Sequence, residues 1–200
     1  MMEGGLCVNV VDAVSGRERQ VAPPSKGTGS WSGGESRYPP IWSRKSDKLY
    51  IEAHYEDEPP WFKSWVYEVA ADGNGKPVRV TERGVTCWSY SAADDILYVD
   101  DSRLGTGIYE VTFAGGKPKQ TLLLGSDAPP YLGNPRISPS GKMLAYCAGR
   151  QLRVKLLKEG VDIDVPVMAP GGGPNLYYWV SVERPAVPPK NDVEKKGPNK

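Results

Sequence analysis

The sequence predicts an all-β protein built from repeated, four-stranded antiparallel units, and two observations carry this prediction. The 200 residues include 23 glycines and 19 prolines, about a fifth of the chain against a usual ~12%, which favours frequent turns over long helices. The second observation is an internal repeat that runs along most of the chain. Hydrophobic residues make up 39% of the chain, which is enough for a buried core at this length.

The repeat is clearest in strand-like segments that each end in a turn. Four of them align with one another: residues 8–16 (VNVVDAVSG), 66–74 (VYEVAADGN), 108–116 (IYEVTFAGG) and 152–160 (LRVKLLKEG). Upstream of the last three, residues 41–43, 87–89 and 136–138 match, and each is followed by an apolar strand. In those strands Leu49, Leu97 and Ala145 are each 48 residues apart. A period of ~40 to 50 residues with four strands is typical of a β-propeller blade.

Each unit divides into four short strands. In the first unit these are residues 40–43, 48–54, 65–70 and 77–81, where β-branched and aromatic residues are bounded by polar turns. Pro77 suits an outer edge strand, where a missing amide donor is tolerated. The predicted organisation is a half-blade at 6–21, blades at 39–81, 85–124 and 134–167, a terminal strand at 175–183 and a disordered tail at 184–200.

The third unit carries a family resemblance. Residues 138–142 (SPSGK), within 134–160, resemble the Ser-Pro-Asp-Gly-Lys turn of TolB-like β-propellers, with Ser140 where that family prefers Asp. The resemblance covers about residues 6–167. It implies extracytoplasmic relatives in bacterial envelope complexes, and propellers attached to peptidases of the prolyl-oligopeptidase type. The alternative is a β-sandwich whose strands happen to be similar.

The number of units leaves two arrangements open, since TolB-like propellers usually have six blades and this chain supplies three full ones. The terminal strand could pair with the half-blade and close a small ring, or the chain could be part of a six-bladed propeller, which we favour. No apolar run reaches 18 residues and no signal peptide is recognisable. We therefore expect a cytoplasmic protein without a membrane span, or a periplasmic or extracellular one if the N-terminus is truncated.

One face of the predicted propeller is the expected binding site, because the loops between second and third strands and those between blades share it. Aromatic and charged residues in these loops suit a partner or ligand. The alternative for the loop at 55–64 is a solvated acidic turn whose Trp61 and Phe62 pack on the blade rim. The candidate binding residues are Tyr55, Glu56, Asp57, Glu58, Trp61, Phe62, Arg103 and Tyr131. With 25 basic and 24 acidic side chains, nothing indicates a nucleic acid partner.

Recognisable catalytic chemistry is missing from the sequence. His54 is the single histidine, residues 29–33 (GSWSG) carry Trp where a nucleophile elbow needs Ser, and the glycine-rich turns lack the phosphate-loop context. Cys7, Cys87 and Cys147 are expected to be buried free thiols. We predict no catalytic residue, no metal and no cofactor: a non-catalytic module that binds a protein partner through the loop face or the central channel. The alternative is a propeller-type glycan lyase or hydrolase, or a glycan-binding protein; a small-molecule ligand is also compatible.

Overall fold

The prediction of an all-β protein is confirmed in a computed structural model. The structure describes residues 7–23, 39–53, 64–82, 84–85, 87–100, 107–113, 117–125 and 132–168. Within these ranges every regular element is a β-strand and none is a helix. The predicted terminal strand at 175–183 and the tail at 184–200 lie outside the described residues.

The strands form one hairpin and three four-stranded antiparallel sheets. The N-terminal hairpin pairs β1 (Val8–Val11) with β2 (Glu18–Ala22). Sheet I contains β3 (Ile41–Trp42), β4 (Lys48–Ala53), β5 (Trp65–Ala70) and β6 (Val78–Arg79). Sheet II contains β7 (Trp88–Ser91), β8 (Ile96–Asp100), β9 (Gly107–Thr112) and β10 (Lys119–Gly125). Sheet III contains β11 (Leu132–Ile137), β12 (Met143–Ala148), β13 (Gln151–Leu156) and β14 (Val161–Met168). These sheets are the predicted four-stranded blades.

The first hairpin of each sheet closes with a turn of four residues. A serine precedes the turn in every case, and the Ser43 and Ser138 amides donate to the carbonyl oxygens of Lys48 and Met143 at 2.9 and 2.8 Å. Ser91 pairs with Ile96 at the equivalent place. Each turn contains one left-handed residue: Ser46 and Gly141 at the third position, with φ of 57° and 71°, and Asp95 at the fourth, with φ of 58°. The repeat in the sequence is thus a repeat of backbone conformation in sheets I and III, with a variant of the turn in sheet II.

The strand register corrects two details of the alignment made from sequence. Trp42 pairs with Leu49, Tyr90 with Leu97 and Ile137 with Leu144. The serine equivalent to Ser43 is therefore Ser91 rather than Ser89, and the third equivalent of Leu49 is Leu144 rather than Ala145. The tryptophans of the first strands are consequently not equivalent: Trp42 is 44% exposed, whereas Trp88 is 1% exposed.

The described sheets stand in a row, and an apolar cluster fills each junction. Between the hairpin and sheet I lie Val21, Ala22, Leu49, Ile51, Ala53, Trp65, Tyr67 and Val69. Between sheets I and II lie Tyr50, Val66, Val80, Val85, Cys87, Trp88, Tyr90, Leu97, Val99 and Val111. Between sheets II and III lie Tyr98, Ile108, Leu144, Tyr146 and Ala148. The described residues do not close this row into a ring.

The cysteines are free, but only one of them is buried. Cys87 lies in the cluster between sheets I and II, Cys147 is half-buried and Cys7 is exposed. The expectation of three buried thiols is therefore wrong for Cys7, which precedes the first strand of the N-terminal hairpin. For Cys147 the burial is partial, because its strand belongs to the last described sheet of the row.

Candidate functional site

The two ends of the row of sheets differ in the length of their connections. At one end, here called the turn end, each hairpin closes with four to seven residues between its strands. At the opposite end, the loop end, 18 residues join β2 to β3, 11 join β4 to β5, and eight, six and six join β6 to β7, β8 to β9 and β10 to β11. The remaining described connection of the loop end, between β12 and β13, is shorter than all of these and has two residues.

Polar contacts lock the turn end between neighbouring sheets. The Tyr90 hydroxyl of sheet II accepts a hydrogen bond from the Arg44 amide at 2.8 Å and donates one to Asp95 Oδ1 at 2.7 Å. The Arg44 guanidinium also reaches the Ala93 carbonyl oxygen at 3.0 Å. Nearby, a hydrogen bond from the Ser43 hydroxyl lowers the pKa of Asp47 below its ordinary value. Side chains and amides of the turn end are thus committed to holding adjacent turns together.

A short backbone bridge supports the loop end at the junction of sheets I and II. The Val85 amide donates to the Ser64 carbonyl oxygen at 2.8 Å, and both residues are buried, Ser64 at 2% exposure. Ser64 ends the long β4–β5 connection and Val85 lies in the β6–β7 connection. The bridge therefore fixes the base of two loop-end connections against each other.

A buried carboxylate supports the loop end at the junction of sheets II and III. Asp100, at 5% exposure, ends β8, and its Oδ1 accepts a hydrogen bond from the Cys87 amide at 2.8 Å. Its Oδ2 accepts one from the Asn134 amide of sheet III at 3.3 Å. The Asn134 side-chain oxygen in turn accepts from the Cys87 thiol. One carboxylate thus joins the residue that precedes β7 to the first strand of sheet III, close to the loop end.

Backbone shape at this junction fits the carboxylate closely. Asn134 has φ of 54°, in the left-handed region that asparagine tolerates better than most residues. A Cβ added to the neighbouring Gly133 would lie 3.2 Å from Asp100 Oδ2. Sequence reasoning passed over Asp100 and Asn134. The available signal was an acidic pair, Asp100 and Asp101, directly after the apolar strand residues of β8.

A second acid, which is half-buried, lies in the same junction, halfway along the strands. Glu110 of β9 pairs with Tyr98 of β8. Burial raises the pKa of Glu110 above its ordinary value, and a hydrogen bond from the Tyr98 hydroxyl offsets part of that rise. Burial also raises the pKa of Tyr98. The tyrosine therefore serves as a neutral donor to a carboxylate that is costly to ionise.

All eight residues predicted to bind a partner lie outside the described residues. Six of them belong to the connection between β4 and β5: Tyr55, Glu56, Asp57, Glu58, Trp61 and Phe62. Arg103 belongs to the β8–β9 connection and Tyr131 to the β10–β11 connection. The strands that flank these three connections all end at the loop end. The common position of the eight residues therefore remains a prediction, and His54 falls in the same undescribed stretch.

Within the described ranges no group of three or more histidine, cysteine, aspartate or glutamate side chains is placed to hold a metal ion. In the same part of the chain, no helix is long and apolar enough to cross a membrane.

Two solved structures have the same arrangement of sheets. The crystal structure of TolB from Acinetobacter baumannii is 15% identical and superposes with a TM-score of 0.55, over 79% of this chain and 37% of that one. The structure of a putative TolB from Agrobacterium tumefaciens is 16% identical, with a TM-score of 0.54, over 84% of this chain and 56% of that one. No family model and no curated protein matches the sequence.

The likeness shows the fold: the chain has the TolB-like β-propeller fold, as the turn at 138–142 had indicated. It also excludes the β-sandwich, in which two sheets pack face to face, because here each sheet packs with its successor in a row. The chain spans 37% and 56% of the lengths of these two structures.

Proposed function

We propose that this protein is a non-catalytic propeller module that binds a protein partner through its loop end. The observation that carries the proposal is the asymmetry between the two ends. Turns of four to seven residues form one end, whereas the three longest connections, of 18, 11 and eight residues, all lie at the other end, which rests on a buried frame. Binding residues are commonly placed on loops held by a rigid scaffold, since loop sequence varies there without disturbing the core.

The composition of the longest loop-end connection within a sheet supports a protein partner. Residues 54–64 (HYEDEPPWFKS) combine three consecutive acidic side chains with the aromatic residues Tyr55, Trp61 and Phe62. Large aromatic side chains are enriched among the residues that dominate binding energy at protein interfaces, and charged side chains around them supply the polar rim. The described base of this connection, Ser64, is fixed by its bridge to Val85.

Site-specific photo-crosslinking in the source cells tests the proposal. A photoreactive phenylalanine analogue replaces Trp61 at the loop end. In the matched control it replaces Val14, which is 99% exposed in the turn of the N-terminal hairpin at the turn end. We expect position 61 to capture one discrete protein that position 14 does not capture.

The captured protein is then produced in recombinant form and its affinity measured by calorimetry. Trp61→Ala should weaken binding by at least tenfold, as expected for a central aromatic anchor, whereas Val14→Ala should leave the affinity unchanged. Equal capture from both positions, or an affinity that Trp61→Ala does not change, would count against the loop end as the binding site. A thermal-shift panel of oligosaccharides adds a separate check, because stabilisation by a glycan would favour a carbohydrate ligand instead.

A further inference from the structure

The side of sheet III that points away from sheet II is apolar. It is formed by three rows of side chains that the strand register brings together: Met143, Leu156 and Val161; Ala145, Val154 and Ile163; Cys147, Leu152 and Val165. Val161 and Ile163 are 50% and 45% exposed. None of the nine side chains belongs to a cluster that joins the described sheets. We call this surface the apolar face.

The corresponding sides of sheets I and II are covered by the next sheet. Tyr50 and Tyr98 occupy the register position of Ala145, and they are 2% and 1% exposed. The Tyr50 ring lies 5.0 Å from the ring of Tyr90, which belongs to the first strand of sheet II. The first strand of each following sheet is therefore what lies against this position.

We propose that residues 176–182 (LYYWVSV) cover the apolar face as the first strand of a further sheet. The length of the preceding connection favours this segment over other occupants. Eight residues lead from β6 to β7 and six lead from β10 to β11, each from a last strand to the next first strand. Seven residues, 169–175, separate β14 from Leu176.

The residue pattern of the segment agrees with the earlier first strands. A serine ends or directly follows those strands, Ser91 or Ser138, and the residue before it, Tyr90 or Ile137, packs towards the preceding sheet. In the segment, Ser181 follows Val180 and lies 43 residues after Ser138. Strand alternation then directs Leu176, Tyr178, Val180 and Val182 to one side.

Side-chain volume also matches. At the two earlier junctions the preceding sheet supplies a tyrosine at the central position, whereas sheet III has the small Ala145 there, beside Val154. On the side that alternation directs to the apolar face, the segment supplies one aromatic side chain, Tyr178, next to Val180. Close packing requires such compensation, because a small residue on one side of an interface leaves room that the other side must fill.

Cys147 provides a reporter within the apolar face. In a Cys7→Ser background the remaining thiols are Cys147, on the apolar face, and Cys87, at 6% exposure in the cluster between sheets I and II. The rate of maleimide labelling at each is followed by mass spectrometry on the full chain. We expect Cys147 to be protected, and Val180→Asp to speed its labelling at least tenfold while Cys87 stays unreactive. Val193→Asp, in the charged tail, is the matched control and should change neither rate.

Three results would overturn the proposal. Cys147 could react as fast in the parent as in Val180→Asp, which would mean that the segment does not cover it. Protection could disappear on dilution together with a dimer seen by light scattering, which would mean that a second copy covers the face. Protection could also persist in Val180→Asp. If Cys87 becomes reactive in that variant, Val180→Ser replaces it, with the same expected direction. None of these outcomes depends on the loop end, so the proposed function is tested separately.

Discussion

Replacing Gly141 by alanine tests how tightly the turns of neighbouring sheets fit together. Gly141 is the third residue of the turn that closes the first hairpin of sheet III, with φ of 71°. A Cβ at this position would lie 2.5 Å from Asp94 Oδ2 and 3.0 Å from the Ser91 hydroxyl oxygen of sheet II. Ser46, at the same place in sheet I, has φ of 57° and carries a side chain. The contact with sheet II, more than the backbone conformation, therefore demands glycine.

The expected cost follows from two contributions. A residue with a Cβ pays about 1 to 2 kcal/mol in the left-handed region, of which about 0.4 to 1 kcal/mol is recovered because the unfolded chain has less freedom. Displacing the Asp94 carboxylate breaks its hydrogen bond from the Ser91 hydroxyl, 3.2 Å long, at about 1 to 2 kcal/mol. Gly141→Ala should thus lower the free energy of unfolding by about 2 to 3 kcal/mol and lower Tm by roughly 4 to 12 °C.

Gly160 is the matched control, because it has φ of 67° in another turn of sheet III and no heavy atom within 4 Å of an added Cβ. Gly160→Ala should cost only the backbone part, about 1 kcal/mol or less. Urea and thermal unfolding measure both variants. In an Asp94→Ala background, which removes the obstructing oxygen, the cost of Gly141→Ala should fall towards that of Gly160→Ala. Equal costs for the two glycine variants in the native background would refute the reasoning.

Three further substitutions probe the sheet junctions. Tyr90→Phe removes the hydroxyl shared by two turns and should lower the free energy of unfolding by about 1 to 2 kcal/mol. Urea unfolding should show this as a lower midpoint with an unchanged slope. A midpoint within error of the parent would contradict a stabilising role for the hydrogen bonds of the Tyr90 hydroxyl. Because burial raises the pKa of Glu110, its ionisation costs stability as pH rises from the unfolded value of about 4.3 through the folded one. Glu110→Gln should therefore have a higher Tm than the parent at pH 7 but not at pH 4. A rise in Tm of the same size at both pH values would argue against a raised pKa for Glu110. Asp100→Ala leaves two backbone amides without their acceptor, so it should lower the free energy of unfolding by about 2 to 4 kcal/mol and speed the alkylation of Cys87. Asp100→Asn keeps one oxygen and should lower the free energy of unfolding by less. Equal losses in the two variants would speak against the carboxylate as the acceptor for both amides.

Strand positions were readable from the sequence because they depend on local pattern. The second and third strands of the first unit were predicted at 48–54 and 65–70, and the structure has Lys48–Ala53 and Trp65–Ala70. The choice of Ser89 instead of Ser91 shows where pattern fails. A shift of two residues keeps every side chain on the same side of a strand, so alternation cannot detect it. Only the turn geometry fixes the register.

The frame of the candidate site was not readable in the same way. Asp100 and the Asn134 amide are 34 residues apart, and their contact exists only because one sheet packs beside the next. A buried carboxylate in a sequence looks like any exposed turn residue until the donors that surround it are known. The aromatic and acidic residues of the β4–β5 connection, by contrast, were identified from composition alone, and their role stays a prediction.

The order of the strands has a consequence for how this chain folds. Every described ladder joins strands that follow each other directly in the chain, so backbone pairing requires only short loops to close, which favours rapid folding. Each sheet can form by itself and then gain stability from its neighbours, as in other proteins whose units contact only the next unit. Cooperativity therefore depends on the side chains between sheets. Sheet II, which has a four-stranded sheet on each side, is expected to open last in hydrogen exchange, and the N-terminal hairpin first.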